Sequence, residues 1–382
     1  MIIIKPVPYS QLTWLIAAVV GACLLIAASS AEALVNVYSG DKGTLAVGGL
    51  LQLQFKDEYP IGGNSTQDFI IRRLQLEFEA SFEKNWLTRI QLDFGQNTDH
   101  PSVLDAYIRY TGFDLGNLTF GNQYAPFSRE HLTSVKAQEL VERSFVGLDN
   151  YGVPGRQPGI LFAGSSGPFA YSLGWFHAGI RPSTSSINFS SPVNSNDQYT
   201  GNLYAGRLQY TPWGQSVPYS QGDLGVNPGL TFGANAYRWS NDGSTQSAIP
   251  GNDWNTVNGY GLDAAYRGGG FSADAGYNWF SGNSRDATVT SGIIQNGEGH
   301  LRDWAVKGGY MLQANRLELV ASLQNLNSDA WSVSWKRSLA GVNYFFDGNS
   351  LKVQFAVEHD TDEKGVVGSD ENIIYLQLQQ AF

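Results

Sequence analysis

Two groups of cationic side chains in this sequence could act on anions. The first is spread along segments of period two: Arg73 shares a face with Gln75 and Glu77, Arg89 with Gln91 and Asp93, and Arg109 with Asp105. Arg207, Arg267 and Lys307 likewise fall opposite apolar neighbours such as Leu208, Leu262 and Val306. The second group sits in one stretch, Gly121 to Arg143, which carries Tyr124, Arg129, His131, Lys136 and Arg143 and is too long for an ordinary turn. Arginine suits such a role because its planar fork offers paired donors and keeps its charge. Ion pairs with Glu77, Asp93, Asp105, Asp263 and Asp303 would instead neutralise the first group, and the sequence leaves both outcomes open for each residue. Enzyme chemistry has little to stand on. The histidines at 100, 131, 177, 300 and 359 form no HExxH or other close metal-ligand pair, and no GxSxG or GxxxxGK[ST] occurs. No catalytic residue, metal or cofactor is therefore expected, with a lipase triad assembled across strands as a remote alternative.

The elements that must hold these side chains are strands. Over 69–82 one face carries Ile70, Leu74, Leu76, Phe78, Ala80 and Phe82, and the other carries Arg73, Gln75, Glu77, Glu79 and Ser81. Sixteen such segments are expected, from 44–55 to 371–382. Short connections such as Glu83-Lys84-Asn85, Gly268-Gly269-Gly270 and Asp347-Gly348-Asn349 alternate with longer polar ones at 124–157, 178–199, 281–300 and 359–370. A soluble sandwich or surface adhesin would share the alternation. The short-long rhythm points instead to an all-β fold, a transmembrane antiparallel barrel of about 16 strands. Trp213 to Asn227 is long where a short turn is due, which lets the strand count differ by about two.

The stretch 124–157 is expected to fold inward as a constriction, since its charges suit a wet lumen better than lipid. Arg72 falls on the apolar parity, where a charge at mid-depth would cost about 2–4 kcal/mol. It is expected near a rim, snorkelling, or at a bulge that turns both arginines inward. Tyr107 with Tyr110, Tyr237 with Trp239, Trp331 with Trp335 and Tyr344 with Phe345 are expected as interfacial girdles.

With 44 Gly, 13% aromatic and 15% charged residues among 382, the composition suits one large β structure better than two soluble domains. A mean hydropathy of −0.22 does not argue against lipid, because barrel strands alternate the two faces and average their hydropathy away. Lys5, the apolar run 12–28 and Ala31-Glu32-Ala33 read as a signal peptide over 1–33, cleaved to leave 34–382 as a single barrel domain. An uncleaved anchor or a lipoprotein at Cys23 are the alternatives. Cys23 is the only cysteine, so no disulfide or thiolate metal site is expected in the mature chain. The segment holds one lysine and one glutamate, so its loss leaves the net charge at −10, which disfavours nucleic acid but does not decide pore selectivity.

The inserted stretch resembles the phosphate-selective porins, the O and P family of bacterial outer membranes, through Tyr124, Phe127, Glu130, Thr133, Ser134, Lys136, Glu142 and Arg143. Arg72-Arg73-Leu74 followed by Leu76-Glu77-Phe78 is similar to the family's paired-arginine strand, and a final Phe382 after an alternating strand resembles the assembly signal of outer-membrane barrels. The resemblance implies a passive pore in outer-membrane lipid, homotrimeric and anion-preferring, with phosphate or polyphosphate as cargo. Three departures stand against strict phosphate recognition: Leu50 after Gly48-Gly49 where the family carries arginine, His131 where it carries a pore lysine, and Arg238 alone between Thr211 and Tyr266. They imply weaker selectivity, with a general or cation-preferring porin as the alternative. A reference pKa of about 6.5 has His131 gaining charge in mild acid, so anion preference is expected to rise as pH falls.

Overall fold

Each strand lies beside its sequence neighbour because one set of connections consists almost entirely of tight turns, which can only fold the chain back on itself. At Gly269 and Gly270 such a turn needs φ of +66° and +84°, open to a residue without Cβ. A computed structural model describes residues 34–95, 101–196, 198–245 and 253–382. The signal peptide expected over 1–33, with Cys23, lies outside the described residues, as does His100.

Sixteen antiparallel strands follow one another round the wall. They are β1 (Gly43–Pro60), β2 (Thr66–Phe82), β3 (Trp86–Asp93), β4 (Ser102–Phe113), β5 (Gly116–Tyr124), β6 (Arg156–Ser166), β7 (Phe169–Arg181) and β8 (Tyr199–Gly214), then β9 (Gly229–Thr245), β10 (Trp254–Gly268), β11 (Phe271–Ser284), β12 (Glu298–Gln313), β13 (Leu317–Ser328), β14 (Trp335–Asp347), β15 (Leu351–Thr361) and β16 (Glu371–Ala381). β16 pairs back onto β1, from Ala381 opposite Leu50 to Glu371 opposite Pro60, so the ring closes and its polar backbone edge is satisfied. Gly49 and Phe382 exchange backbone hydrogen bonds of 2.8 and 3.1 Å at the seam, and a Cβ on Gly49 would meet the Phe382 ring. The lead-in at 34–43 is not featureless. Val35–Gly40 pairs with the start of β1, along the edge that β16 leaves free before Leu50.

The outer wall is apolar at mid-height, where Leu173, Leu208, Leu262, Val306 and Leu323 are 50–69% exposed. At the short-turn end, Trp86 packs on Tyr110, Phe169 on Tyr210, Trp213 on Tyr266 and Phe271 on Tyr310. These rings form a girdle of the kind found at lipid headgroups. Tyr107, Tyr237, Trp239, Trp335 and Phe345, expected in the girdle, are buried on the inner face instead. Alternation separates the two faces of a strand without saying which interior positions will be covered by another segment. Here Tyr237, Trp239 and Trp335, with Phe176, Leu203 and Phe280, surround Phe127, Phe145, Tyr151 and Val153 of the connection between β5 and β6. Part of the interior is thus a dry core rather than the wet lumen expected.

Candidate functional site, a passage lined by arginines

Residues 125–155 between β5 and β6 enter the barrel and cross to the far wall. Ser128, held at φ +57°, caps a single helical turn, Arg129–Leu132, and its hydroxyl donates to the Val146 carbonyl. The polar residues of this loop then serve as anchors. Glu130 accepts from Lys307 and Gln221 at 2.7 Å each and from the Ser144 amide. The loop backbone is held by Gln324 of β13, Asn343 of β14, Lys352 and Gln354 of β15 and Gln379 of β16. Leu140 packs on Val320 and Leu339, and Val141 on Ala356, Ile373 and Tyr375.

The connection flagged as too long explains itself in the same place. Residues 215–228, at the short-turn end, also turn into the barrel and dock on the loop. Arg129 donates to the carbonyls of Val217 and Pro218, Gln221 accepts from the Glu139 amide at 2.9 Å, and Arg267 donates to the Ser220 carbonyl at 2.6 Å. The strand count is unaffected, because the extra residues fill the interior instead of forming wall.

With loop and inturned segment occupying the side of β9–β16, open space remains along β2–β8. It includes an outer cavity of about 640 Å³ and an inner one of about 420 Å³, which meet at Gln91, Tyr124, Ser134 and Arg156, residues that line both and lie along one path through the barrel. Seven arginines border it, at 73, 89, 109, 143, 156, 181 and 207, against the aspartates Asp93, Asp105 and Asp149. Burial pushes the Asp149 carboxyl up, against the pull of Arg143.

The expected site residues divide by what neutralises them. Arg89 is 2.9 Å from Glu77 and 3.5 Å from Asp105, and Arg207 forms a fork with Asp263. Arg73 donates to Gln52 at 2.7 Å and comes no nearer than 3.9 Å to Glu142. Arg109 donates to Thr119 at 3.0 Å, and Arg143 to the Thr133 carbonyl at 2.9 Å. Among the described residues neither Arg109 nor Arg143 has a carboxylate within 4.0 Å. Arg72 realises the bulge: Gln52 pairs with Arg73 and Leu53 with Ile71, so Arg72 is the extra residue. Both arginines consequently point inward, and Arg72 grips Glu142 of the loop at 2.7 and 2.9 Å. The bulge also puts Ile71 rather than Ile70 on the outer wall, 48% exposed.

Five expected pore residues need correction. Arg267 and Lys307 face inward as their parity requires but are fully covered, by Asp274 and Ser220 in one case and by Glu130 in the other. Arg129 is 4% exposed and bound to Asp274, so it is an anchor, not a lining cation. His131 borders the outer cavity, but the residue is only 6% exposed and Nδ1 donates to the Gly147 carbonyl at 2.8 Å. Burial, with Arg143 beside it, holds its pKa well below 6.5, so it does not become charged in mild acid as expected. Lys136 is half-buried, borders neither cavity, and forms no ion pair among the described residues. Tyr124 stands at the junction with Arg156 stacked 3.9 Å from its ring centre.

Sequence reasoning missed Arg156 and Arg181. Arg156 shares the parity of Ile160, which faces outward, and Arg181 is the last residue of β7. At strand ends the pleat no longer fixes direction, so alternation hides both. Arg156 turns inward because Asp105 receives it at 2.7 Å.

A closed 16-stranded barrel with an inward loop and a polar passage is the architecture of a bacterial outer-membrane porin. The phosphate-selective porin O and P family model matches residues 47–382, and the chain belongs to that family, whose members are passive channels rather than enzymes. Porin O of Pseudomonas aeruginosa is 33% identical over 104 residues, which span 26% of this chain and 24% of that relative. Among solved structures, an anion-selective porin from Comamonas acidovorans matches at TM-score 0.62 and 11% identity, covering 89% of this chain and all of its own. OmpF of Salmonella typhi follows at 0.59 and 13%, covering 91% and 100%, and a trimer form of OmpT from Vibrio cholerae at 0.54 and 12%, covering 90% and 100%. At these identities the structures establish the fold alone.

Proposed function

We propose that this chain is an outer-membrane diffusion pore with modest preference for anions, phosphate among them, and that the loop at 125–155 sets its smallest cross-section. The observation that carries this reading is the passage itself, with seven arginines against three aspartates and no carboxylate within 4.0 Å of Arg109 or Arg143 among the described residues. A net charge of −10 does not oppose it, because the field at the narrowest point comes from the groups facing it. Leu50, at lumen parity and 3% exposed, adds no positive charge, and Arg89, Arg156 and Arg207 are largely spent on acids. Phosphate is therefore held loosely, and loose binding permits rapid release. Export would use the segment 1–33 as a cleaved signal peptide. A homotrimer would bury part of the apolar outer wall, as in the trimer form of OmpT.

Reversal potentials in a potassium chloride gradient across a planar bilayer test the selectivity. Anion preference is expected, with weak block by millimolar phosphate. Cation preference would overturn the assignment and leave a general porin.

A further inference from the structure

The two cavities differ in lining. The outer one, though it has arginines and a few apolar side chains, is lined mostly by polar groups such as those of Ser190, Asn188 and Asp149. The inner one sets Tyr107, Tyr124, Tyr219, Pro126, Leu132 and Leu161 among its arginines. Rings beside cations are a poor match for a small, strongly hydrated inorganic ion, which gains nothing from an apolar wall, and a good match for a ring that carries one negative charge. A volume of about 420 Å³ exceeds what phosphate needs and lies in the range of organic ligand sites.

We propose that the inner cavity is a binding station for aromatic carboxylates. Within the anion-pore reading on which this rests, it names a cargo class. Arg109 is the recognition group. Its guanidinium lies 4.9 Å over the Tyr107 ring and its Nε is fixed to Thr119 at 3.0 Å. Its two terminal nitrogens have no partner among the described residues, so a fork is held ready for a carboxylate. Tyr219 supplies a ring face from the inturned segment 215–228. Its hydroxyl is fixed between Arg207 at 3.0 Å and Gln209 at 2.8 Å, Arg129 lies 5.3 Å over the ring, and the residue is 36% exposed. Asp105, the one carboxylate bordering this cavity among the described residues, is matched by Arg156 and Arg89 and leaves Arg109 free to act. The long turn that sequence alone could not place thereby gains a role as the carrier of a specificity residue.

The test is inhibition of chloride current through the single channel by benzoate, phosphate and uncharged benzyl alcohol, at one ionic strength. Benzoate is expected to reach half-block at a concentration at least about fivefold below phosphate, with benzyl alcohol inert. Tyr219→Ala should weaken benzoate block about threefold or more, and Tyr219→Phe should retain it; Arg109→Gln should weaken it by a larger factor. Heat-modifiable mobility confirms that each variant has folded. Phosphate blocking as well as benzoate, or folded Tyr219→Ala and Arg109→Gln channels that block like the parent, would overturn the station. Under either result an anion-selective reversal potential leaves the pore reading standing, whereas a cation-selective one removes both.

Discussion

His131 and Arg143 show how position decides what a charge can do. Arg143 borders the outer cavity with no carboxylate within 4.0 Å among the described residues, while its neighbour His131 is enclosed and bonded to Gly147. A base whose pKa is depressed on folding contributes stability that is present above its unfolded value of 6.5 and is lost as pH falls below it. Mild acid should therefore loosen the loop around His131 without adding charge to the passage. In His131→Ala, the change of reversal potential between pH 7 and pH 5 is expected to equal that of the parent. A pH effect abolished by the substitution would place charge on His131 and contradict the enclosure. Arg143→Gln should reduce anion preference at both pH values, read from the same measurement.

At the scale of the element, the loop is held from both sides by acids with opposite pH behaviour. Burial pushes the Glu142 carboxyl up, but Arg72 more than offsets this and holds it down to about 2. Its contribution is then complete at neutral pH and fades as pH falls from 4.5 toward 2, amounting to about 3 kcal/mol in all. Glu139 runs the other way: burial and the nearby Asp274 push it up, so its contribution is greatest in acid and declines as pH rises above 4.5. Arg72→Gln should remove the acid limb, so that open-channel noise rises less between pH 4 and pH 3 than it does in the parent. Equal acid sensitivity in parent and variant would show that the Arg72–Glu142 grip does not hold the loop. Deleting Ser128 to Gln138 removes the helical turn and the anchors at Arg129 and Glu130. Single-channel conductance should rise if the barrel survives, and a folded deletion with unchanged conductance would place the constriction elsewhere.

For the molecule as a whole, the apolar wall makes a prediction independent of conduction. Leu323, 60% exposed between Val306 and Ser338, should face acyl chains near mid-depth. Leu323→Lys should destabilise the barrel by about 2–4 kcal/mol in guanidinium unfolding from lipid vesicles. The same lysine on the surface of a soluble sandwich would have almost no effect, so a shift under about 0.5 kcal/mol would contradict the orientation of the wall.

What the sequence determined by itself rests on period and rhythm: about sixteen strands, the inward parity of Arg73, Arg89, Arg109, Arg207, Arg267 and Lys307, and an inserted loop with a place to sit. Those follow from the two-residue pleat and from turn lengths, which are local properties of the chain. The residues carrying the resemblance to phosphate-selective porins were legible in the same way. Only the tertiary structure decided which inward cations meet solvent. Arg267, Lys307 and Arg129 are covered and Arg156 is not, because 125–155 and 215–228 fill one side of the lumen and leave the other open. It also decided that Tyr237 and Trp239 are core instead of girdle. Coverage arises from contacts between segments up to some two hundred residues apart, such as Glu130 with Lys307 and Gln138 with Lys352, and no local pattern encodes a partner at that distance.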